Sequence, residues 1–429
     1  MYKLKTIFKA VVLKILEWEG RLVIKKYKPT IIAITGNVGK TTTKDAIYEV
    51  LEKLFDNVRK SPKSYNSDFG VPLTILGRNT GWNSPLAWIL NILAPIPLLL
   101  FPMKYPNKIV LEVGADKPND IKKISSWLHA DRVVVTQMSS VPVHIEAFGT
   151  VERIIEEKSE LIKSIKRGGL VILNADDEHA PKFAVFSENK PFYVGFRNSA
   201  DLQASNYQIN YNSDGRPRGI TFKINHRGSC APVSIDGVIG KGFVYPILFA
   251  TVLGLKEGGN LVSVGQALSS FKTTPGRMRI LKGQNDSSII DDSYNSSPLA
   301  VLNALDCLSE LQCSGRKIAV LGDMLELGEY SEDQHQKIGR LSGEVADLVV
   351  GVGKMSEIIA AEAKLAGAET LLFKDSKQSI LGLKDVLKPG DICLVKGSQS
   401  VRMERLVYEL VEKEERVNLV RQDLEWQKK

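Results

Sequence analysis

Residues 31 to 55 read IIAITGNVGKTTTKDAIYEVLEKLF. A β-branched run, a glycine turn and a stretch with apolar residues at helical spacing follow one another, which predicts strand, loop and helix in that order. Gly36 and Gly39 let the backbone of the turn from Thr35 through Asn37 and Val38 to Thr42 aim its N–H groups at phosphate oxygens, and the start of the helix adds the positive end of its dipole. In such a loop Lys40 reaches the β- and γ-phosphates and the Thr41 hydroxyl holds Mg²⁺. The GxxxxGK[ST] spacing is broken at its first glycine, where Ile34 stands. A nucleoside triphosphate is the first ligand these residues point to.

Downstream, KIVLEV (108–113), RVVVTQ (132–137) and LVILNA (170–175) alternate with helical stretches. The alternation predicts a parallel sheet whose ligand-facing residues lie just past the strand ends. Glu112 occupies such an end and is a candidate Mg²⁺ ligand. Residues 201 to 235 read as antiparallel strands added to this sheet. From 278 to 412 a second strand and helix alternation predicts a Rossmann-like domain without a GxGxxG fingerprint. The fold class expected is therefore α/β: a P-loop parallel-sheet central domain with an antiparallel add-on (30–275), then a Rossmann-like C-terminal domain (276–415). A basic amphipathic helix (1–29) precedes them and a charged, solvated tail (416–429) follows.

The 429 residues carry 57 Lys and Arg against 49 Asp and Glu, a formal net charge of +8. That balance favours anionic partners, but no basic and aromatic stripe of a nucleic-acid module accompanies it, so no nucleic acid is expected. Four cysteines without ligand spacing indicate neither a disulfide framework nor a zinc site, as suits a reducing, cytoplasmic setting. The first 28 residues repeat apolar positions with Lys and Arg between them, and Lys14, Glu17 and Glu19 interrupt any signal-peptide core. Two readings stand: a helix packed on the first domain, or one lying on an anionic membrane. The uncharged stretch PLAWILNILAPIPLLLFPM (85–103) is interrupted by Pro95 and Pro97, so it is expected as an apolar hairpin, buried or dipped into a bilayer surface.

TGNVGKTTTK (35–44), NSDFGVPLTIL (66–76), LEVGADKPNDI (111–121), HIEAFGTVERIIEEKSEL (144–161), PGRM (275–278), DDSYNSSP (291–298), LGDMLELG (321–328) and VKGSQSVRME (395–404) together resemble the Mur ligase family. The resemblance implies an enzyme that uses ATP and Mg²⁺, at two metal sites, to turn a carboxylate into an acyl phosphate and then an amide. It assigns Lys40, His144 and Lys158 to catalysis, and Thr41, Glu112, His144 and Lys158 to metal. Lys158 matches the lysine that the family carbamylates, becoming an anionic ligand. Arg277, Asp292 and Asn295 join the loop in holding nucleotide, while Asn66, Ser67, Tyr294, Lys396 and Ser398 face the small-molecule acid and amine substrates.

Two departures accompany the resemblance. About thirty residues precede the loop, too few for the family's domain that grips a UDP-sugar. The family's GxHN segment appears as Gly240, Lys241, Gly242 and Phe243. The function expected is an ATP-dependent peptide ligase of peptidoglycan precursor synthesis, adding D-Ala-D-Ala to a muramyl peptide. The alternative is a related ligase for a non-UDP acid of polyglutamate, folate or cyanophycin type. A cytoplasmic monomer is expected, and on the second reading of the N-terminal helix it is peripheral at the inner membrane face.

Overall fold

The computed structural model describes residues 2–422 and 426, apart from 63–64, 82–83 and 384–385. The first sheet gathers β1 (Thr30–Thr35), β2 (Val58–Lys60), β3 (Lys108–Glu112), β4 (Arg132–Val135), β5 (Leu170–Asn174), β6 (Phe192–Gly195), β7 (Leu202–Tyr211), β8 (Pro217–His226) and β9 (Ser229–Asp236). Their spatial order is β2-β3-β1-β4-β5-β6-β7-β8-β9. Pairing is parallel from β2 across to β7 and antiparallel through β8 and β9. The added strands are the ones the alternating run 201–235 predicts.

Side chains of a strand point alternately to its two faces, so a strand covered on both sides must be apolar throughout. β1 shows this. Ile31 and Ala33 enter one core, while Ile32 and Ile34 enter the other. Helix α1 (Tyr2–Tyr27) covers the first core and α2 (Lys40–Phe55) the second, with Val12, Leu16 and Val23 of α1 fully buried. The packed reading of the N-terminal helix therefore holds for this face.

Three short helices run beside α1: α3 (Gly70–Leu76), α4 (Pro85–Leu93) and α5 (Ile96–Leu100). Pro95 and Pro97 fall where α4 ends and α5 begins, because proline fits a first helical turn but ends the preceding one. The apolar stretch is thus neither wholly buried nor wholly free: Trp88, Ile92, Leu98 and Leu99 pack inward, and the opposite side faces out.

The second sheet holds β10 (Arg279–Lys282), β11 (Ser288–Asp292), β12 (Lys317–Gly322), β13 (Leu348–Val352), β14 (Glu369–Phe373) and β15 (Ile392–Lys396), in the order β10-β11-β15-β12-β13-β14. Only β10 pairs antiparallel. The segment after Arg416, expected to be solvated, instead packs back on this half. Leu419 is buried, and Arg421 forms a 3.0 Å ion pair with Glu404 whose side chains are 4% and 2% exposed. A buried carboxylate needs a partner, and Arg421 supplies it. Residues 423–425 and 427–429 of that tail lie outside the described residues.

Candidate active site

The cleft between the two sheets, about 870 Å³, opens where the C-terminal ends of β1 and β3 face those of β11 and β15. This is where an open parallel sheet offers exposed backbone and helix N-termini to a ligand. The loop after β1 needs both its glycines. A Cβ on Gly36 would lie 2.1 Å from the Thr136 hydroxyl, and Gly39, at φ +86°, takes the left-handed conformation that opens α2. The loop's far side is tied down by Asn37 and Val38, whose N–H groups donate to the Gln137 carbonyl at 2.8 and 3.1 Å.

Around this loop the expected groups converge. Thr41 Oγ1 donates to Glu112 Oε2 at 2.9 Å, and Asn66 Nδ2 donates to Glu112 Oε1 at 3.3 Å. Arg277, from the segment leading into β10, donates from Nη2 to Thr41 Oγ1 at 3.1 Å, so a residue 236 positions away closes the site. Lys40 Nζ donates to the carbonyls of Gly36 and Asn37 at 2.9 and 3.1 Å. Burial holds its amine below the ordinary lysine range; Glu112 pulls it back up and Arg277 pushes it further down. The buried Asn37 Oδ1 and Arg277 Nε are left without partners among the described residues, polar atoms that a bound ligand would satisfy.

Lys158 lies on helix Val151–Lys163 with 3% exposure, not on its solvent face. Burial first, and then the charge of Lys40, push its amine down to about 7. Asp116, which pulls in the other direction, also stands 3.5 Å from His144 Nε2. His144 lies at the turn into helix Ile145–Phe148, with φ +67°, and its Nδ1 is 2.9 Å from Glu326 of the second half. Across the cleft Lys396 Nζ donates to Asp292 at 2.6 Å and to the Asn295 carbonyl at 2.9 Å. Burial raises the Asp292 carboxyl while Lys396 opposes it. The Arg277 guanidinium sits 4.3 Å from the Tyr294 ring centre. Ser398 Oγ accepts the Leu325 N–H at 3.0 Å.

Several expected residues stand elsewhere. Ser67 does not line the cleft; its hydroxyl accepts the Gly70 N–H at the start of α3. Thr35 is wholly buried and Gly36 serves the turn's shape, whereas Val38, Gly39 and Thr42 line the cleft with Lys40 and Thr41. Of the GKGF segment, Gly240, Gly242 and Phe243 line the cleft, and Lys241 is paired with Glu310. Residues that were not foreseen also appear: Lys44, 3.9 Å from Glu112, and Arg402 and Trp426 at the rim. Asp116 and Arg402 lie inside the motifs LEVGADKPNDI and VKGSQSVRME, where they could have been read, whereas Trp426 reaches the rim through the returning tail and leaves no local signal.

Mg²⁺ prefers hard oxygens and commonly takes one or two protein ligands, with phosphates and waters completing its shell. The Thr41 hydroxyl and the buried Glu112 carboxylate fit that donor set. Among the described residues no group of three or more His, Cys, Asp and Glu could hold a metal on its own.

A phosphate loop at a strand end, an oxygen pair beside it and cationic side chains arriving from a second sheet define a nucleotide-dependent P-loop enzyme whose site is shared between two halves. Residues 34–254 match the profile of the Mur ligase middle domain, and residues 276–399 that of the Mur ligase glutamate ligase domain. The chain belongs to the Mur ligase family, whose members are ATP-dependent ligases that form C–N bonds. It is 30% identical to the UDP-N-acetylmuramoyl-tripeptide–D-alanyl-D-alanine ligase of Mycobacterium leprae, over 89% of this chain and 73% of that one. The enzyme of the same name from Bacillus subtilis is 29% identical, over 89% and 76%. A crystal structure of a MurF ligase from Thermotoga maritima in complex with ADP aligns with TM-score 0.73 and 26% identity, covering 92% of this chain and 83% of that one.

Proposed function

We propose that this ligase adds D-alanyl-D-alanine to the terminal carboxylate of a muramyl tripeptide, as its relatives' names describe, within peptidoglycan precursor synthesis. The observation that carries the reading is the meeting of Thr41, Glu112 and Arg277 beside Lys40, which joins the phosphate loop to the second half of the chain. A carboxylate is a poor acyl donor until one of its oxygens becomes part of a phosphate leaving group. In this scheme an acceptor oxygen attacks the γ-phosphorus of ATP and ADP leaves. The donor amine then attacks the acyl carbon and loses a proton, and inorganic phosphate departs as the amide forms.

Lys40 and Arg277 carry the positive charge that faces the transferred phosphoryl group. Thr41 and Glu112 would hold the Mg²⁺ that neutralises the phosphate oxygens. His144 would reach a second Mg²⁺, together with Lys158 as its carbamate, formed when the neutral amine adds CO₂ and releases a proton. Burial of Lys158 keeps part of that amine neutral near pH 7. Asp292 and Asn295 would contact the nucleotide, and Asn66, Tyr294, Lys396 and Ser398 the substrates. The division at 29/30, 275/276 and 415/416, a monomeric state and a cytoplasmic site of action go with this reading.

Phosphate release measured against a panel of acids and amines tests it. We expect turnover that requires both UDP-muramyl tripeptide and D-Ala-D-Ala. Turnover with a polyglutamate or folate-type acid in their place would move the assignment to the other branch, and no nucleotide binding would end it.

A further inference from the structure

We propose that α1, α4 and α5 together form a face that docks on the surface of an anionic lipid bilayer. The observation is a helix that is apolar on two opposite sides. In α4, Trp88, Asn91 and Ile92 face the protein, while Leu86, Ile89, Leu90 and Leu93 are 47–66% exposed. The outward four fall at positions i, i+3, i+4 and i+7, a complete helical stripe. A soluble helix buries one such stripe and covers the other side with polar residues. The polar residue of α4, Asn91, is turned inward, and its outer side has none.

The stripe is not isolated. Leu100, Phe101 and Met103 follow it with 50–69% exposure, and on the adjoining α1 Phe8, Val11 and Trp18 are 43–59% exposed. The helices are fixed to one another: Lys26 Nζ donates to the carbonyls of Leu98, Leu99 and Phe101 at 2.9, 3.0 and 2.6 Å, and so caps the C-terminal end of α5. Singly scattered apolar residues need no explanation, but a full helical stripe on α4, with further exposed apolar residues on α5 and on the α1 that packs against both, marks a surface that something covers.

The charge around the face identifies the covering partner. Residues 1–28 contain eight Lys and Arg and two Glu, most of the chain's net charge of +8. Lys14, Arg21, Lys25 and Lys28 are exposed on α1 and just beyond it, as is Lys104 after α5. An apolar face rimmed by lysines is the composition of elements that lie in a membrane interface, with apolar side chains among acyl chains and cations at anionic headgroups. Spanning is excluded for these elements, since no helix among the described residues is long and apolar enough to cross a bilayer. The inner side of α4 leads toward the site: Trp88 stands edge-on to Phe69 at 5.5 Å, in the segment whose Asn66 reaches Glu112.

Co-sedimentation of the full chain with phosphatidylcholine vesicles, with and without phosphatidylglycerol, tests the proposal. We expect pelleting with the anionic vesicles at low salt, weakened severalfold by high salt and by Lys14→Glu with Lys25→Glu. Leu93→Glu with Leu100→Glu is expected to abolish it while nucleotide binding stays intact. A readout that needs no folding control is the blue shift of tryptophan emission on adding vesicles to the wild type, which Trp18→Phe should diminish. No pelleting and no spectral shift with anionic vesicles would overturn the proposal. So would a wild-type dimer that Leu100→Glu splits in the absence of any lipid binding, which would give the face to a second copy of the chain.

Discussion

Lys158 shows how much a single position owes to its surroundings. In the sequence it is one lysine in a charged helical run, EEKSEL; in the fold its amine is buried near Lys40 and Asp116 and pushed down to about 7. Desolvation disfavours the ammonium form, and only the neutral amine can add CO₂. We expect ¹³C-labelled bicarbonate to give the folded protein a carbamate resonance that Lys158→Arg lacks, since a guanidinium does not carbamylate. The same variant should lose phosphate release by about a hundredfold or more, the order seen when one charge-stabilising group is removed. A carbamate signal that persists in the variant would place the modification elsewhere. Ser67 is the converse case: its place in a motif suggests substrate contact, yet its hydroxyl is taken by a helix start.

At the scale of elements, strand, turn and α2 are legible because their signal is contiguous: β-branched residues, two glycines and helical spacing within twenty-five residues. The antiparallel strands 202–236 are legible through their alternation. What α1 covers is not, because an amphipathic pattern with lysines suits both a protein core and a lipid surface, and α1 uses one side for the former. Its inner side holds Glu19, 3% exposed and with Oε2 lacking a partner among the described residues, so burial pushes its carboxyl up to about 7. Between the ordinary glutamate range and pH 7 the folded chain holds a proton that the unfolded chain releases. Stability contributed at this site therefore falls as pH rises through that window and levels off above it. Thermal melts should show Glu19→Gln more stable than wild type by a few degrees at pH 8, with the advantage gone near pH 4.5. Equal midpoints at pH 8 would contradict this.

For the whole molecule, the contacts that complete the site cross between the two halves: Arg277 to Thr41, Asn303 to Gln137 at 3.3 Å, and His144 to Glu326. They join residues more than a hundred and fifty positions apart, so no window of sequence displays them. Family motifs mark which segments matter but not which atoms meet. The His144 and Glu326 contact is partly solvated, and such a pair contributes no more than about 1 kcal/mol. Glu326→Ala should accordingly speed amide hydrogen exchange in residues 139–149 by up to about fivefold, leaving β1 unchanged. Exchange in β1 rising equally would mean global destabilisation instead.

The central claim is that this cleft activates a carboxylate by making it an acyl phosphate, and isotope transfer reads that step directly. With ¹⁸O in the terminal carboxylate of the muramyl tripeptide, ATP and D-Ala-D-Ala, the phosphate released should carry one ¹⁸O, because the oxygen that attacks phosphorus leaves with it when the amide forms. Phosphate free of label, alongside the amide product, would contradict the account.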